Sequence, residues 1–126
     1  NLDQAVRLGL KPEGGFAESP YAFTEADLLR GKALYQSFCA ICHGARGEGD
    51  GRAIPLGVPK PRSYHDPAVR DQPEGYFYFA ATNGFGRMLP YKSRIPERER
   101  WLIAHYIKRC LLSEACPEEV VHAEVH

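Results

Sequence analysis

The residues that most constrain this chain are Cys39-Ala40-Ile41-Cys42-His43, a five-residue motif in the first half of a 126-residue sequence. Two cysteines separated by two residues and followed directly by histidine form the attachment signature of a c-type haem. Each thiol adds to one vinyl group of the porphyrin, and a helical turn then points the next imidazole at the iron. The motif therefore predicts one haem c, attached covalently through Cys39 and Cys42, with His43 as an iron ligand.

A zinc site is the alternative for this motif, because cysteine and histidine are also zinc ligands. It would need a fourth donor, and Cys110 and Cys116 are poorly arranged to supply one. As an even pair left over in an oxidising compartment, these two cysteines instead predict a disulfide. Six residues along an unbroken helix span about 9 Å, so the helix must stop between them, near residues 113–115. Two buried free thiols are the alternative.

Length and composition indicate one globular domain over residues 1–126. Hydrophobic residues make up 44% of the chain and charged residues 25%, the usual proportions for a globular protein. Basic and acidic residues number 16 each, so the formal charge is zero before any cofactor is added. Nucleic acid is not expected as a partner, because its binding needs a basic footprint. No apolar run reaches the length of a bilayer span.

The cellular compartment follows from the motif. Residues 1–4 lack the basic and apolar regions of a signal peptide. Because c-type maturation takes place outside the cytoplasmic membrane, we expect a periplasmic protein whose export signal has been removed. Association with the outer face of the cytoplasmic membrane stays open.

The helix that leads into the motif is predicted to start at a capping box of Thr24 and Asp27. Its apolar residues recur at helical spacing up to the cysteines: Leu28, Gly31, Tyr35 and Phe38. Glycine and proline then dominate residues 44–64, which predicts an irregular segment along the haem edge. A phosphate-binding loop is excluded there, because no strand precedes it and no Walker lysine follows.

Three further helices are predicted in the second half of the chain. Asp66-Pro67 indicates a single turn, and residues 71–74 resemble a capping box before an aromatic run. Asn83-Gly84 is expected to close that helix with a left-handed residue. A long terminal helix is expected to begin at Pro96, with acidic residues in its first turn and basic residues in its last.

Short helices are also expected at both ends of the chain. One covers the first ten residues, capped by Asn1 or Asp3, and another starts at Pro117. Because no strand pattern is present, the predicted fold class is all-α.

Met88 is the predicted second iron ligand, because it is the only methionine and lies in a glycine-rich loop between two predicted helices. Gly84 and Gly86 would let the backbone of this loop approach the ring closely. A lone methionine more often fills a core, but an irregular loop gives little packing reason for it. The alternatives are His65, His105 or an open sixth position.

Together these features resemble a class I cytochrome c over residues 25–112. The features are the motif, Met88 followed by Pro90, and two helices that carry Gly31-x-x-x-Tyr35 and Trp101 to Tyr106. Residues 83–106 are also similar to the single-haem subunits of alternative complex III and to cytochrome domains of haem–copper oxidases.

The resemblance implies an all-α fold around one haem, with extensions at residues 1–24 and 113–126. It implies that Gly31 or Tyr35 crosses the terminal helix at Tyr106. It also implies a proline carbonyl that accepts a hydrogen bond from the proximal imidazole, for which Pro55 is the candidate and Pro59 the alternative.

Histidine and methionine together fill both axial positions, which leaves outer-sphere electron transfer as the remaining chemistry. The residues considered for contacts with the haem propionates are Tyr64, Arg62, Arg87, Tyr91 and Trp101. We expect a monomer, not an enzyme, that carries single electrons from a quinol-oxidising complex to a terminal haem–copper oxidase. A second, non-enzymatic version makes it a tethered subunit of one of those complexes. The alternative from another class is a c-haem enzyme or sensor whose labile sixth ligand gives way to a gas, a peroxide or a sulfur compound.

Overall fold

The computed structural model describes residues 7–125, in which helices are joined by long irregular segments. The described helices are α1 (Glu25–Phe38), α2 (Ala40–His43), α3 (Pro67–Arg70), α4 (Glu74–Asn83), α5 (Glu97–Tyr106) and α6 (Glu118–His122). A 3₁₀ turn covers Ile54–Leu56, and a π-helical turn at Ile107–Leu111 continues α5. Within residues 7–125, β structure is confined to two isolated bridges, which confirms the all-α prediction.

Helix α1 begins as its sequence predicts. The Thr24 hydroxyl accepts a hydrogen bond from the Asp27 amide at 3.1 Å, and the Thr24 amide donates to the Asp27 carboxylate at 2.9 Å. This reciprocal pair satisfies two amides at the helix start, so the capping box is confirmed. The predicted caps Asn1 and Asp3 lie outside the described residues.

The core is organised by the crossing of α1 and α5. A side chain at Gly31 would meet Leu102 and Tyr106 at 3.2 Å, a tight contact, so glycine favours this close approach of the two helices. The rings of Tyr35 and Tyr106 lie 5.6 Å apart beside this point. The crossing expected from the resemblance is therefore confirmed. It fixes the direction in which α1 delivers the cysteine motif.

Helix α4 differs from its prediction at both ends. The expected capping box at residues 71–74 is wrong: Asp71 caps the end of α3, and its carboxylate instead accepts from Arg70. Helix α4 starts two residues later, after Pro73. At its other end Gly84 has φ 77° but ψ 173°, so φ is positive as expected while ψ is extended rather than left-handed.

The C-terminal part folds back onto α1. Pro96 caps α5 instead of occupying its first helical position. The helical path ends at Leu112, and Cys110 and Cys116 then form the predicted disulfide with 4.5 Å between their Cα atoms. After the disulfide, α6 packs on α1 with Val120 fully buried. None of the helices in the described residues is both long and apolar enough to cross a membrane.

Candidate haem site

The cysteine motif lies on one helical turn at the end of α1. Cys39 ends α1, and its carbonyl accepts hydrogen bonds from the amides of Cys42 at 3.2 Å and His43 at 3.0 Å. Gly44 stops the turn with φ 84°, a value that L side chains rarely adopt. Because both cysteines and the histidine belong to this single turn, the backbone sets their relative directions.

The glycine-rich segment that follows folds back onto this turn. The amides of Gly49, Gly51 and Ala53 donate to the carbonyls of the turn at 2.8–3.1 Å. These accepting carbonyls belong to His43, Cys42 and Ile41. A side chain at Gly51 would collide with the Ile41 carbonyl, so this close approach requires glycine. The segment is irregular as predicted, and its backbone holds the motif in place.

His43 is enclosed by aromatic residues. Its ring stacks on Tyr64 at 4.7 Å, and Tyr64 in turn meets Phe77 edge-on at 5.4 Å. Burial lowers the pKa of the imidazole to about 4, so the ring is neutral at physiological pH. A neutral imidazole is the form that ligates metals.

One nitrogen of this ring, Nδ1, is buried without a hydrogen-bond partner among the described residues. The carbonyl of Pro55, predicted to accept from the imidazole, therefore makes no such bond in this structure. Buried nitrogens are rarely left unpaired, so the ring has bonding capacity that the protein itself does not use.

These residues fit a covalently attached haem. Cys39 and Cys42 are both free of disulfides, and burial raises the pKa of the Cys39 thiol to about 12. Two thiols and a neutral imidazole on one turn match the donors that haem c requires. A zinc site fits less well, because no group of three His, Cys, Asp or Glu side chains in residues 7–125 could hold a metal ion.

Met88 lies in the irregular segment between α4 and α5, which we call the Met88 loop (residues 84–95). Phe85 and Met88 exchange backbone hydrogen bonds across a tight turn, with N–O distances of 3.3 and 2.9 Å. A side chain at Gly84 would meet the Pro90 nitrogen at 3.1 Å and would collide with the Met88 carbonyl. Gly84 was predicted to let the loop backbone approach the haem ring; in the structure it lets the loop backbone approach itself, at Met88 and Pro90.

Tyr91 connects the Met88 loop to the cysteine motif. Its hydroxyl donates to the Phe38 carbonyl at 3.2 Å, one residue before Cys39. Its amide donates to the Ala81 carbonyl on α4 at 2.8 Å. The guanidinium of Arg94 lies over the rings of Phe38 and Tyr91, 5.6 and 5.4 Å from their centres. The loop that carries the predicted sulfur ligand is thus fixed against the end of α1.

The two alternative histidine ligands are engaged elsewhere. His65 is exposed and shares a hydrogen bond with the Arg46 carbonyl at 2.8 Å. His105 is mostly buried, and its Nδ1 lies 3.1 Å from a carboxylate oxygen of Glu74. These contacts favour Met88 over either histidine.

The residues considered for propionate contacts are spread over different environments. Tyr64 stacks on His43 of the motif turn, and Tyr91 contacts Phe38, the residue before the motif. Trp101 is fully buried and stacks on Tyr78 at 4.1 Å, between α4 and α5. Arg62 is exposed with Asp66 at 3.7 Å, and Arg87 is exposed in the Met88 loop. Their roles toward propionates stay predictions.

Sequence reasoning missed two buried cations. Arg100 on α5 is 6% exposed, and Lys32 on α1 is 7% exposed. Both lie on the apolar face of their helix, since Arg100 precedes Ile103 by three residues and Lys32 follows Leu28 by four. A basic residue in register with buried apolar residues was the signal that could have revealed them.

A comparison with family models identifies the same region. The model described as "Cytochrome C oxidase, cbb3-type, subunit III" matches residues 26–107, which include the cysteine motif, the Met88 loop and α5. No curated protein sequence matches the chain.

Solved structures provide two further similarities. A chain of the Kuenenia stuttgartiensis reducing HAO-like protein complex Kustc0457/Kustc0458 is 28% identical, with a TM-score of 0.59 over 71% of this chain. The match covers 46% of that protein, so this chain spans less than half of its length. The KustC0563 c-type cytochrome is 21% identical over 62% of this chain and 93% of its own, with a TM-score of 0.52. The second similarity supports the fold alone.

Proposed function

Because this chain belongs to the family of cbb3-type cytochrome c oxidase subunit III and is a haem c protein of electron transfer, we propose that it carries single electrons from a quinol-oxidising complex to a terminal haem–copper oxidase. In this proposal His43 and Met88 are the two residues that would hold the iron of the haem. The haem supplies one-electron redox chemistry when bound, and the protein sets its ligands and surroundings. Thioether ligation raises the reduction potential relative to two histidines.

The observation that carries the proposal is the paired arrangement of the motif turn and the Met88 loop. A buried, neutral imidazole lies on one segment and the only methionine of the sequence on the other. Tyr91 joins the two segments through its bond to the Phe38 carbonyl. With both of these side chains bound to it, the metal would not be open to substrate, and the chain's other residues would serve to hold the two side chains in place and exclude water.

The surface of the Met88 loop favours docking of an acidic redox partner. Phe85 is 64% exposed and Leu89 69% exposed, so two large apolar side chains of the loop face solvent. The loop also carries Arg87, Lys92 and Arg94 but no acidic residue. A small apolar contact with a basic rim suits a transient complex that must dissociate after each electron transfer.

The disulfide supports a periplasmic location. Cys110 and Cys116 are bridged, and disulfides persist in oxidising compartments such as the periplasm. In the proposal the chain works there, in reach of complexes on the outer face of the cytoplasmic membrane.

Two measurements on the purified haem-loaded protein test the proposal. A carrier with sulfur ligation should show the weak methionine–iron charge-transfer band in the near infrared when oxidised. It should form no carbon monoxide adduct at neutral pH when reduced. Stopped-flow reduction by a quinol-oxidising complex and oxidation by a haem–copper oxidase then test the partners. A normal spectrum without transfer to either complex would contradict the choice of partners while leaving the carrier role intact.

A second version of the proposal makes the chain a subunit of a larger redox complex. The similarity to a chain of the reducing HAO-like protein complex favours this version. Co-purification from a membrane extract under low salt would distinguish a subunit from a free carrier. The enzyme or sensor alternative predicts rapid carbon monoxide binding and no near-infrared band.

A further inference from the structure

Arg100 is a buried cation directed at the base of the Met88 loop. Its guanidinium donates to the carbonyls of Ile95 at 2.6 Å and Lys92 at 3.0 Å, both within the loop. It also donates to the Thr82 hydroxyl at 3.0 Å and the Tyr78 hydroxyl at 3.2 Å on α4. One side chain on α5 therefore joins three segments of the protein.

No ion pair connects Arg100 to an acidic residue in the part of the chain that the structure describes. A guanidinium keeps its charge in proteins, so burial must be offset by its hydrogen bonds and by the Tyr78 ring, 5.3 Å from its central carbon. Because its acceptors are neutral, this geometry is maintained only while the loop carbonyls stay in place.

The loop has few other attachments. Tyr91 holds it to the Ala81 and Phe38 carbonyls, the Arg94 guanidinium lies over the Phe38 ring, and Ile95 is buried at its end. The segment from Phe85 to Leu89 is mostly exposed; it bonds to itself through the short bridge, and its Phe85 ring lies 6.4 Å from the ring of Tyr76 on α4. Segments with few buried contacts open first, so the bonds from Arg100 are a large part of what keeps this loop closed.

We propose that Arg100 is a positioning residue for Met88, and that its bonds to Lys92 and Ile95 set how rarely the Met88 loop opens and releases the iron. This inference rests on the proposed function, because it assigns Met88 as the sixth ligand. Arg100 acts through the loop backbone and does not itself contact the iron.

Lys32 provides a matched control within the same protein. Its ammonium is buried to the same extent and donates to three backbone carbonyls at 2.7, 3.0 and 2.7 Å. Those carbonyls belong to the C-terminal end of the chain, at Val120, Val121 and Ala123. Loss of either cation should destabilise the fold, but only loss of Arg100 should free the Met88 loop.

The experiment compares Arg100→Met, Arg100→Lys and Lys32→Met in the haem-loaded protein. The first readout is the rate of carbon monoxide binding to the reduced form. We expect Arg100→Met to raise this rate about tenfold or more, because several charge-assisted hydrogen bonds hold the closed loop. Arg100→Lys keeps the charge but cannot reach all four acceptors, so its rate of carbon monoxide binding should lie between those of the unmodified protein and Arg100→Met. Lys32→Met should bind carbon monoxide as slowly as the unmodified protein.

Trypsin cleavage gives a second readout that does not depend on the iron ligand. The exposed loop residues Arg87, Lys92 and Arg94 are trypsin sites. Cleavage after them should accelerate in Arg100→Met and stay unchanged in Lys32→Met. If Arg100→Met fails to fold, Thr82→Val removes one acceptor without a change of shape and should give a smaller increase in both rates.

The outcomes separate this inference from the proposed function. An unmodified protein without the near-infrared band refutes Met88 as ligand, and with it this role of Arg100. A normal band, with Arg100 and Lys32 variants alike in carbon monoxide binding and in loop cleavage, overturns the role of Arg100 alone. Faster cleavage and faster binding confined to the Arg100 variants support it.

Discussion

The Met88 loop and the C-terminal tail (residues 112–125) are two irregular segments that this protein fixes by the same means. Each offers backbone carbonyls to a buried cation from a neighbouring helix, Arg100 for the loop and Lys32 for the tail. Irregular backbone needs such partners, because a buried carbonyl without a donor is costly. Together the two segments show how a helical core can secure chain that has no regular hydrogen bonding of its own.

The two segments differ in what else holds them. The tail is also closed by the Cys110–Cys116 disulfide and anchored by Val120, which is fully buried. The Met88 loop has no covalent closure, and its central residues are largely exposed. The loop should therefore open more readily than the tail, and it is the segment that carries the predicted iron ligand.

Their charges differ as well. The tail carries four glutamates and no lysine or arginine, whereas the loop carries three basic residues and no acid. The zero formal charge of the whole chain conceals this separation. In the proposed function, the loop rather than the tail is therefore the segment that an acidic partner would meet.

Met88→Ala should have the largest effect, and this effect should concern the Met88 loop and the iron but not the tail. Removing the thioether opens the sixth position, so carbon monoxide should bind rapidly and the near-infrared band should disappear. The reduction potential should fall by a sizeable part of the roughly 0.8 V range that axial ligands span. Potentiometry and optical spectra measure both changes.

The matched control for Met88→Ala is Leu89→Ala, its exposed neighbour, which should leave spectrum and potential unchanged. An unchanged potential and spectrum in Met88→Ala would exclude Met88 as the ligand. His65 and His105 would then be tested next.

Lys32→Met should have the next largest effect, and it should act on the tail. Three carbonyls of the tail lose their donor, which should lower the free energy of unfolding by about 2 kcal/mol. Denaturant unfolding followed by circular dichroism measures the loss. The reduction potential should stay the same, because the Met88 loop keeps all its contacts. A shifted potential would mean that the two segments are coupled.

Removing the disulfide by a Cys110→Ser, Cys116→Ser double substitution should lower the free energy of unfolding by an amount similar to or slightly smaller than Lys32→Met does. Closing so short a loop contributes about 2 kcal/mol in the chain-entropy model. Because Lys32 still holds the tail, a protease that cuts after glutamate should not cleave the four glutamate sites of the tail much faster in this variant alone. When the disulfide variant is combined with Lys32→Met, the loss of unfolding free energy should exceed the sum of the two separate losses if the disulfide and Lys32 hold the same segment. Simple additivity would show that they act independently.

Much of the fold followed from local signals in the sequence. The capping box at Thr24, the turn at Asp66, and the glycine at the α1–α5 crossing all depend on short-range chemistry or a family resemblance. The false capping box at residues 71–74 failed because Asp71 was already used to end α3. A short motif cannot show which of two adjacent helices takes such a residue.

The candidate site was only partly predictable. The cysteine motif is contiguous, so its turn could be anticipated from residue spacing alone. The register of Arg100 and Lys32 on apolar helix faces could have marked them as buried, but their acceptors could not be assigned, because most of these are backbone carbonyls that leave no trace in the sequence. Tyr91 was a candidate for a propionate contact, whereas its hydroxyl contacts the Phe38 carbonyl. Such long-range contacts depend on how the loop packs.

The smallest expected effect concerns a pair of carboxyl groups that faces the tail. A hydrogen bond with Glu119 on α6, together with its negative charge, raises the pKa of Glu25 on α1 above its ordinary value of 4.5. A raised folded-state pKa contributes stability at low pH that is lost as the pH rises through that pKa. The pKa of Glu119 shifts the opposite way, because a backbone hydrogen bond and the bond with Glu25 lower it, so its own stabilising contribution is lost as the pH falls through that pKa. Docking of the tail should therefore be strongest while the two carboxyl groups share one proton, and it should weaken slightly as the pH rises from 4.5 toward neutrality.

Glu25→Gln should remove this dependence, because an amide can still bond to Glu119 but carries no charge. At pH 7 and low salt the variant should unfold at a slightly higher temperature than the parent, and high salt should cancel the difference by screening. Below pH 4 the two proteins should be equal, so a gain that persists there would rule out repulsion as its cause. The Met88 loop contains no acidic residue, and its cleavage by trypsin should not respond to the substitution. A change confined to the tail would show that the two segments respond separately to pH.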